Sequence, residues 1–235
     1  MFGGKMKAVT FSYDDGTTQD IRLIEIFNKY GLKATFNLNS ELLGTGRELV
    51  REGVTVRHDK VNACDVKDIY LGHEVASHTL THPNLTTIAD ESERIRQVES
   101  DRLRLSELVG YEVRGFAYPC GGVNYDRRVS DIIRKNTGVK YCRTIKSSYS
   151  FEPQDDLFEF KPTVFHHNEF DRMVSLADEF LSAAPDKPML FYVWGHSFEF
   201  DIHDTWDRFE EFCKMISGHD DIFYGTNSEC LLRNQ

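Results

Sequence analysis

Two adjacent carboxylates, Asp14 and Asp15, end a short apolar run and are followed at once by Gly16. Further along stand two histidines four residues apart, His78 and His82 in HTLTHP, then the sharp segment Tyr118-Pro-Cys-Gly-Gly122, and then His196 at the end of PMLFYVWGH. Two imidazoles and one carboxylate make a facial donor set for a divalent ion, with each histidine nitrogen at about 2.0 to 2.1 Å and positions left open. The spacing of four predicts both imidazoles on one side of a helical turn. A second carboxylate left free beside the ion suits general-base work, because the ion lowers the pKa of neighbouring water. Adjacent side chains on an extended backbone point to opposite sides, so Asp14 and Asp15 can divide the two tasks. His196, opposite, can protonate a leaving group. Taken singly, each has a plainer reading: Asp-Asp-Gly as a turn, the histidine pair as surface or capping residues, His196 as a structural histidine. Their order, and the elements that carry them, decide between the two.

Lys7 to Tyr13 reads as a strand running into the Asp-Asp-Gly turn. Ile21, Ile24 and Phe27 predict a helix over 19–30, capped by Thr17 and closed by Gly31, and Ala34 to Leu38 a second strand. A crossover of this length implies parallel pairing. Between 39 and 72 the expectations are a short helix near 47–52, a strand over 54–57 and a helical turn over 66–70. HEVASH predicts a third strand ending just before His78. A long helix is expected over 88–109, capped by Thr87, with Arg102 breaking its apolar stripe and so lying near solvent. Strands then follow at 115–117, 139–143, 160–165, 188–194 and 222–224. The helices between them are expected at 127–136, from an Asn168 cap to 184, and over 205–217 behind an Asp204 cap. Seven or so strands alternating with helices predict an α/β barrel or a doubly wound sheet. In either, reactive groups gather at the C-terminal strand ends, where Asp14, His78, the turn at 118–122 and His196 all fall.

Length and composition bound the rest. A chain of 235 residues, 40% hydrophobic and without a Pro-rich or Ser/Gly-rich tract, reads as one domain over 1–235. Its net charge of −10, with no basic block, argues against nucleic acid as a partner. Five cysteines, none in CxxC spacing, read as reduced thiols. No segment is long enough to span a bilayer, and MFGGKMKAVTF has no signal-peptide core, so the chain reads as cytoplasmic. Oligomeric state is not readable.

The order DDG, HTLTHP, YP-x-G and WGH resembles the polysaccharide deacetylase family, also called the NodB-homology or carbohydrate esterase 4 family, over roughly residues 7–225. The resemblance implies a distorted (β/α)7 barrel and metal-dependent removal of acetyl groups from N-acetylated or O-acetylated sugars. By position it makes Asp14 the base, Asp15, His78 and His82 the metal ligands, and His196 the acid. Zinc is the first choice of ion, and the donor set also admits cobalt, nickel, manganese or iron. The same water activation serves the opening of a cyclic amide such as a ureide, as in an allantoinase. A barrel that binds sugar without turnover is a third reading. The expected partner is a carbohydrate or small amide substrate, with no membrane.

The third motif departs from the family pattern, in which an arginine pairs with the base and precedes x-Pro-Tyr-Gly. Here Ala117 stands where that arginine belongs and Cys120 where the tyrosine belongs. The Cys120 backbone N–H can still serve as an oxyanion donor. Arg114 lies three residues back, about 10 Å along a strand, on the other face. Arg143, at the end of VKYCR, sits at the correct rim and is expected to supply the positive charge beside Asp14. The family's fourth motif is not recognisable, and Asp155 and Asp156 read as part of a solvated loop. His166 or His167 can line the pocket, and Glu199 and Asp201 can orient His196. Tyr118, Trp194 and Phe198 can floor a sugar site.

Overall fold

A computed structural model of the chain describes residues 2–232. Its centre is β1 (Lys7–Asp14), buried along its whole length. The pattern that made it legible as a strand continues one residue further than expected, so that Asp14 is still a strand residue. Helix α1 (Asp20–Lys29) packs Leu23, Ile24, Ile26 and Phe27 inward and leads to β2 (Ala34–Leu38). Two short strands, β3 (Glu48–Arg51) and β4 (Val54–Arg57), form a separate hairpin before α2 (Val66–Ile69) and β5 (Glu74–Ser77).

The long helix is two segments, α3 (Glu91–Ile95) and α4 (Asp101–Val109), joined by a π-helical turn at Arg96–Ser100. After it come β6 (Gly115–Ala117), α5 (Arg127–Asn136), β7 (Tyr141–Arg143), β8 (Val164–Phe165) and α6 (Phe170–Ser182). The chain then supplies β9 (Met189–His196), α7 (Glu199–Ile202), α8 (Trp206–Ile216), β10 (Ile222–Tyr224) and α9 (Asn227–Leu231).

The main sheet is parallel and runs β7-β6-β5-β2-β1-β9-β8, with β10 also paired to β1. β9 follows one edge of β1 from Lys7↔Met189 to Asp14↔His196. The other edge is shared, β10 taking Lys7 to Val9 and β2 taking Phe11 to Asp14. The sheet curls until the segment entering β8 meets β7: Thr144 N donates to Phe160 O at 2.8 Å and Phe160 N to Cys142 O at 3.0 Å. The result is the expected distorted barrel. Phe11, Tyr13, Phe27, Phe36, Phe191 and Phe209 fill the core between β1 and the helices, each worth about 1.5 to 3 kcal/mol of burial. Among the described residues, no helix is long and apolar enough to cross a membrane.

Several local expectations are corrected. Residues 48–51 form a strand, not a helix, because Glu52 and Gly53 both adopt positive φ (53° and 80°) and make a two-residue hairpin turn. Thr17 does not cap α1; its hydroxyl bonds Ser197 Oγ at 2.9 Å. Asp90, not Thr87, caps α3, accepting from Ser92 N at 3.0 Å, while the Thr87 hydroxyl goes to Asn84 O. Asn168 and Asp204 cap nothing: α6 and α8 start two residues further on, without side-chain caps. Arg102 is buried rather than near solvent, its charge met by Glu99 at 2.6 Å. The π turn re-aims that stretch of helix. It puts the buried Asp101 under β5, where its carboxylate accepts from Ser77 Oγ (2.6 Å), Ser40 N (2.7 Å) and His78 N (3.2 Å).

Candidate active site

The C-terminal ends of β1, β5, β6, β7 and β9 surround a cavity of about 780 Å³. Asp14, Asp15, His78, His82, Cys120, Trp194 and His196 all line it, so the distant sequence segments do converge.

Asp14 closes β1 with Asn37 on one neighbouring strand and His196 on the other in direct register. Its carboxylate accepts from Asn37 Nδ2 at 2.8 Å, and both of its oxygens accept from Arg143 Nη2. Arg143 is fully buried, with its guanidinium carbon 4.4 Å from the centre of the Trp194 ring. Burial alone would raise the Asp14 pKa, but Arg143, then His78 and His196, outweigh it and hold the carboxyl below its usual range.

Asp15 points elsewhere because the chain leaves the strand there, at φ 83°, with its N–H donating to Asn37 O at 3.0 Å. The separation of the two carboxylates thus comes from a left-handed bend rather than from strand alternation. Gly16 makes the bend possible: at φ 62°, a Cβ there would lie 2.6 Å from Leu38 Cδ2. Asp15 Oδ1 lies 3.6 Å from His82 Nε2 and 3.3 Å from Lys60 Nζ, and Oδ2 lies 3.1 Å from His58 Nε2. Lys60 also donates to the Asp15 carbonyl at 2.6 Å. Burial pushes the Asp15 pKa up, and Lys60, His58 and the nearby histidines more than reverse this, holding it well down.

His78 and His82 are together, with ring centres 4.9 Å apart, but not on a helical turn. Thr79 and His82 are left-handed, at φ 71° and 61°, and this irregular loop brings the rings together. His78 Nδ1 is 2.8 Å from the Ala117 carbonyl, which can only accept, so Nδ1 carries the hydrogen and Nε2 is left with its lone pair. Burial pushes the His78 pKa down to about 4, and burial also lowers that of His82, so both imidazoles are neutral at physiological pH.

Ligand atoms of Asp15, His78 and His82 all lie within 4.8 Å of one another. An ionised carboxylate, two neutral imidazoles and a fixed His78 tautomer fit a divalent ion of the zinc class.

The turn after β6 is shaped by the buried Asn124, whose Nδ2 donates to the carbonyls of Tyr118 (3.1 Å), Pro119 (3.2 Å) and Cys120 (2.9 Å). Cys120 is held there at φ 71°, with its thiol 3.5 Å from His82 O and its pKa raised by burial. Tyr118 is a core residue that only borders the cavity: its hydroxyl donates to Phe158 O at 2.8 Å and its ring stacks on Tyr125. Trp194 lies in the wall, stacked on Phe165 at 4.5 Å.

His196 sits on a buried acid. Glu199 Oε2 accepts from the His196 backbone N–H (3.0 Å) and lies 3.0 Å from His166 Nε2. Its other oxygen is 3.1 Å from His196 Nδ1 and 2.8 Å from Arg51 Nη1. The His196 contact is an ion pair without good hydrogen-bond direction, since neither atom has a directed partner. Burial lowers the His196 pKa, but Glu199, with help from Asp15 and Asp14, carries it up to about 9. His166 is tucked beneath the strand where Gly195 has no side chain; a Cβ there would meet its ring at 1.7 Å.

His167 and Asp201 lie outside the cavity, Asp201 accepting from Trp206 Nε1 and Gln19. Asp156 pairs with Arg127 and Arg134 at the surface. His58 and Lys60 belong to no motif of the sequence, yet both reach Asp15. Nothing local marks them, because they reach Asp15 through a bridge between Thr17 and Lys60 that only the fold creates.

Comparison with known proteins bears on the fold and the family. A 27% identical relative, an uncharacterized 30.6 kDa protein of Geobacillus stearothermophilus, aligns over 119 residues, 50% of this chain but only 38% of the relative's own length. The carbohydrate esterase 4 domain of a multidomain xylanase, from the hindgut metagenome of Trinervitermes trinervoides, superposes with a TM-score of 0.57 at 17% identity, covering 97% of this chain and 91% of that one. A family 4 pseudoenzyme from Bacillus anthracis gives 0.53 at 20% identity, covering 96% and 66%. At such identities the two structures speak for the fold alone. The sequence model of polysaccharide deacetylases, however, matches residues 3–141, more than half of the chain and the part that carries DDG and HTLTHP. On that match and on this barrel, the chain belongs to the polysaccharide deacetylase family.

Proposed function

We propose that this protein is a metal-dependent hydrolase that removes the acetyl group from an N-acetylated sugar. The observation that carries the reading is the Asp14 carboxylate, kept ionised by Arg143 and set between the Asp15, His78 and His82 donor group and His196 on the next strand. A divalent ion held by those three donors would lower the pKa of neighbouring water and polarise a carbonyl oxygen. The remaining work belongs to the side chains. Asp14 takes the proton from the attacking water, and the Cys120 backbone N–H faces the negative charge that develops on the acetyl oxygen. Because His196 Nδ1 faces Glu199, Nε2 is the atom that delivers a proton to the departing sugar amine. Water is consumed, the C–N bond breaks, and acetate and amine leave. A cavity of about 780 Å³ has room for a sugar substituent, with Trp194 and Phe198 in its wall.

The test is acetate release by the zinc- or cobalt-loaded protein from N-acetylglucosamine oligomers, with a chelated control and a cyclic ureide in parallel. Acetate release that chelation removes is the expected result. Ring opening without acetate would transfer the reading to cyclic amides, and neither activity would leave a sugar-binding barrel.

A second expectation concerns Glu199 as a positioning residue. Activity needs His196 protonated, so it is lost as pH rises through the His196 pKa. Glu199→Gln removes the anion that raises this pKa while burial, which lowers it, remains. The basic limb of the kcat/KM profile should therefore move to lower pH, by about one unit or more. A variant that lost activity evenly at all pH values, with the limb unmoved, would assign Glu199 a packing role only.

A further inference from the structure

A second group of metal-ligand side chains lies at the rim of the barrel, made of Glu52, His167 and His203. None of the three lines the catalytic cavity. They come from three separate places: the tip of the β3–β4 hairpin, the residue pair after β8, and the end of α7. His167 Nε2 is 2.9 Å from Glu52 Oε1, and His203 Nε2 is 2.8 Å from Glu52 Oε2. The two rings are nearly parallel, 5.0 Å apart. The His167 side chain is only 3% exposed, whereas Glu52 and His203 are open to solvent at 40% and 46%.

Hydrogen bonding alone is a weak reason for this arrangement. The His203–Glu52 contact is open to solvent and so contributes little, and a glutamate in the left-handed region, at φ 53°, is strained. Asn or Gly would turn the hairpin more cheaply. Coordination gives the strained glutamate a purpose. Ligands at about 2.0 to 2.1 Å around a tetrahedral ion stand roughly 3.3 Å from each other, so the two contacts to Glu52 need to open by only a few tenths of an ångström. The imidazoles must also turn out of their parallel stacking for the three ligand atoms, already within 4.8 Å of one another, to meet on one ion. We propose that Glu52, His167 and His203 bind a second divalent ion of the zinc class, with water completing its shell.

The ion would act on the cavity through the hairpin. Among the described residues, β3 and β4 pair only with each other, and they are held to the barrel by the Arg51–Glu199 ion pair and by Leu49 and Val56 against Phe198 and Ile202. Leu49 and Arg51 are part of the cavity wall. An ion at Glu52 fastens the hairpin tip to the chain beyond β8 and α7, and so fixes that wall.

The test counts ions. Chelator-stripped protein is reloaded with Zn2+ or Co2+, passed through gel filtration and analysed for metal per chain. The wild type should hold two equivalents, His203→Ala one, His82→Ala one, and the double variant none. In the His82→Ala background, Zn2+ should raise the melting temperature, and adding His203→Ala or Glu52→Gln should abolish that rise. A wild type with a single equivalent that His203→Ala retains, or a His203→Ala variant with two, would overturn the proposal. One equivalent that His203→Ala loses and His82→Ala keeps would uphold the rim site while removing the catalytic ion, so the two readings fail separately.

Discussion

Asp14→Asn should lower kcat by a factor of about 10² to 10⁴ while the metal content at Asp15, His78 and His82 stays that of the wild type. The amide is nearly isosteric but has no basic oxygen, and the three donors do not include it. It does create a new problem: the buried Arg143, which has both Asp14 oxygens as acceptors, would face a group with one oxygen and one NH2. Removing one partner of a buried ion pair costs about 3 to 5 kcal/mol, so kcat must be measured per folded molecule, with a melting curve beside it. Metal counted by mass spectrometry separates the alternatives. If Asp14→Asn lost the ion and Asp15→Asn kept it, the two carboxylates would have exchanged roles.

Arg143→Ala should be the other severe change, and its signature lies in pH. In the wild type, Arg143 opposes burial and keeps Asp14 ionised. Without it, burial acts alone and the Asp14 pKa rises, so the acidic limb of kcat/KM should move to higher pH. Stability follows the same linkage. A carboxyl with a depressed folded pKa contributes stability above its unfolded pKa, which is lost as pH falls through the folded value. The variant lacks this contribution and buries an unpaired charge at neutral pH, a deficit of about 3 to 5 kcal/mol. The gap to wild type should narrow as acid protonates Asp14, readable from urea melts at a series of pH values. Arg143→Lys should restore part of the charge effect but not the stacking on Trp194. An acidic limb unmoved in Arg143→Ala would break the link between these two residues.

The legible parts of the molecule were those whose signal is local or fixed by strand ends. β1, β2, β6, α5 and β10 follow from short apolar patterns bounded by turns, and all the residues proposed for catalysis lie where a parallel sheet collects them. Arg143 was within reach for the same reason: once the strand ending at 143 is recognised, the rim it belongs to is settled. The illegible parts depend on partners far away in sequence. Glu199 is one of several acids near His196, and only the fold selects it over Asp201. His58 and Lys60 reach Asp15 because a hairpin, of which the sequence pattern shows only the second strand, returns the chain to Thr17. That hairpin did carry a signal, two left-handed turn positions at Glu52-Gly53 between alternating runs, but glutamate is not the residue usually found there. Caps failed for a related reason: Thr17 is engaged by Ser197, a competitor no local rule contains.

The pairing of β1 has a consequence for how the chain must assemble. Its neighbours are β2 nearby, but also β9 and β10, some 180 and 215 residues later. Closing such distant pairs is slow, because loop entropy must be lost before the contacts form. The proposed proton acceptor and proton donor face each other only through the β1–β9 ladder. During synthesis, then, Asp14 is made well before its partner strand, and one edge of β1 stays uncovered until residues 189–196 follow. The proposed hydrolytic site is therefore a product of long-range strand pairing and not of any local folding unit.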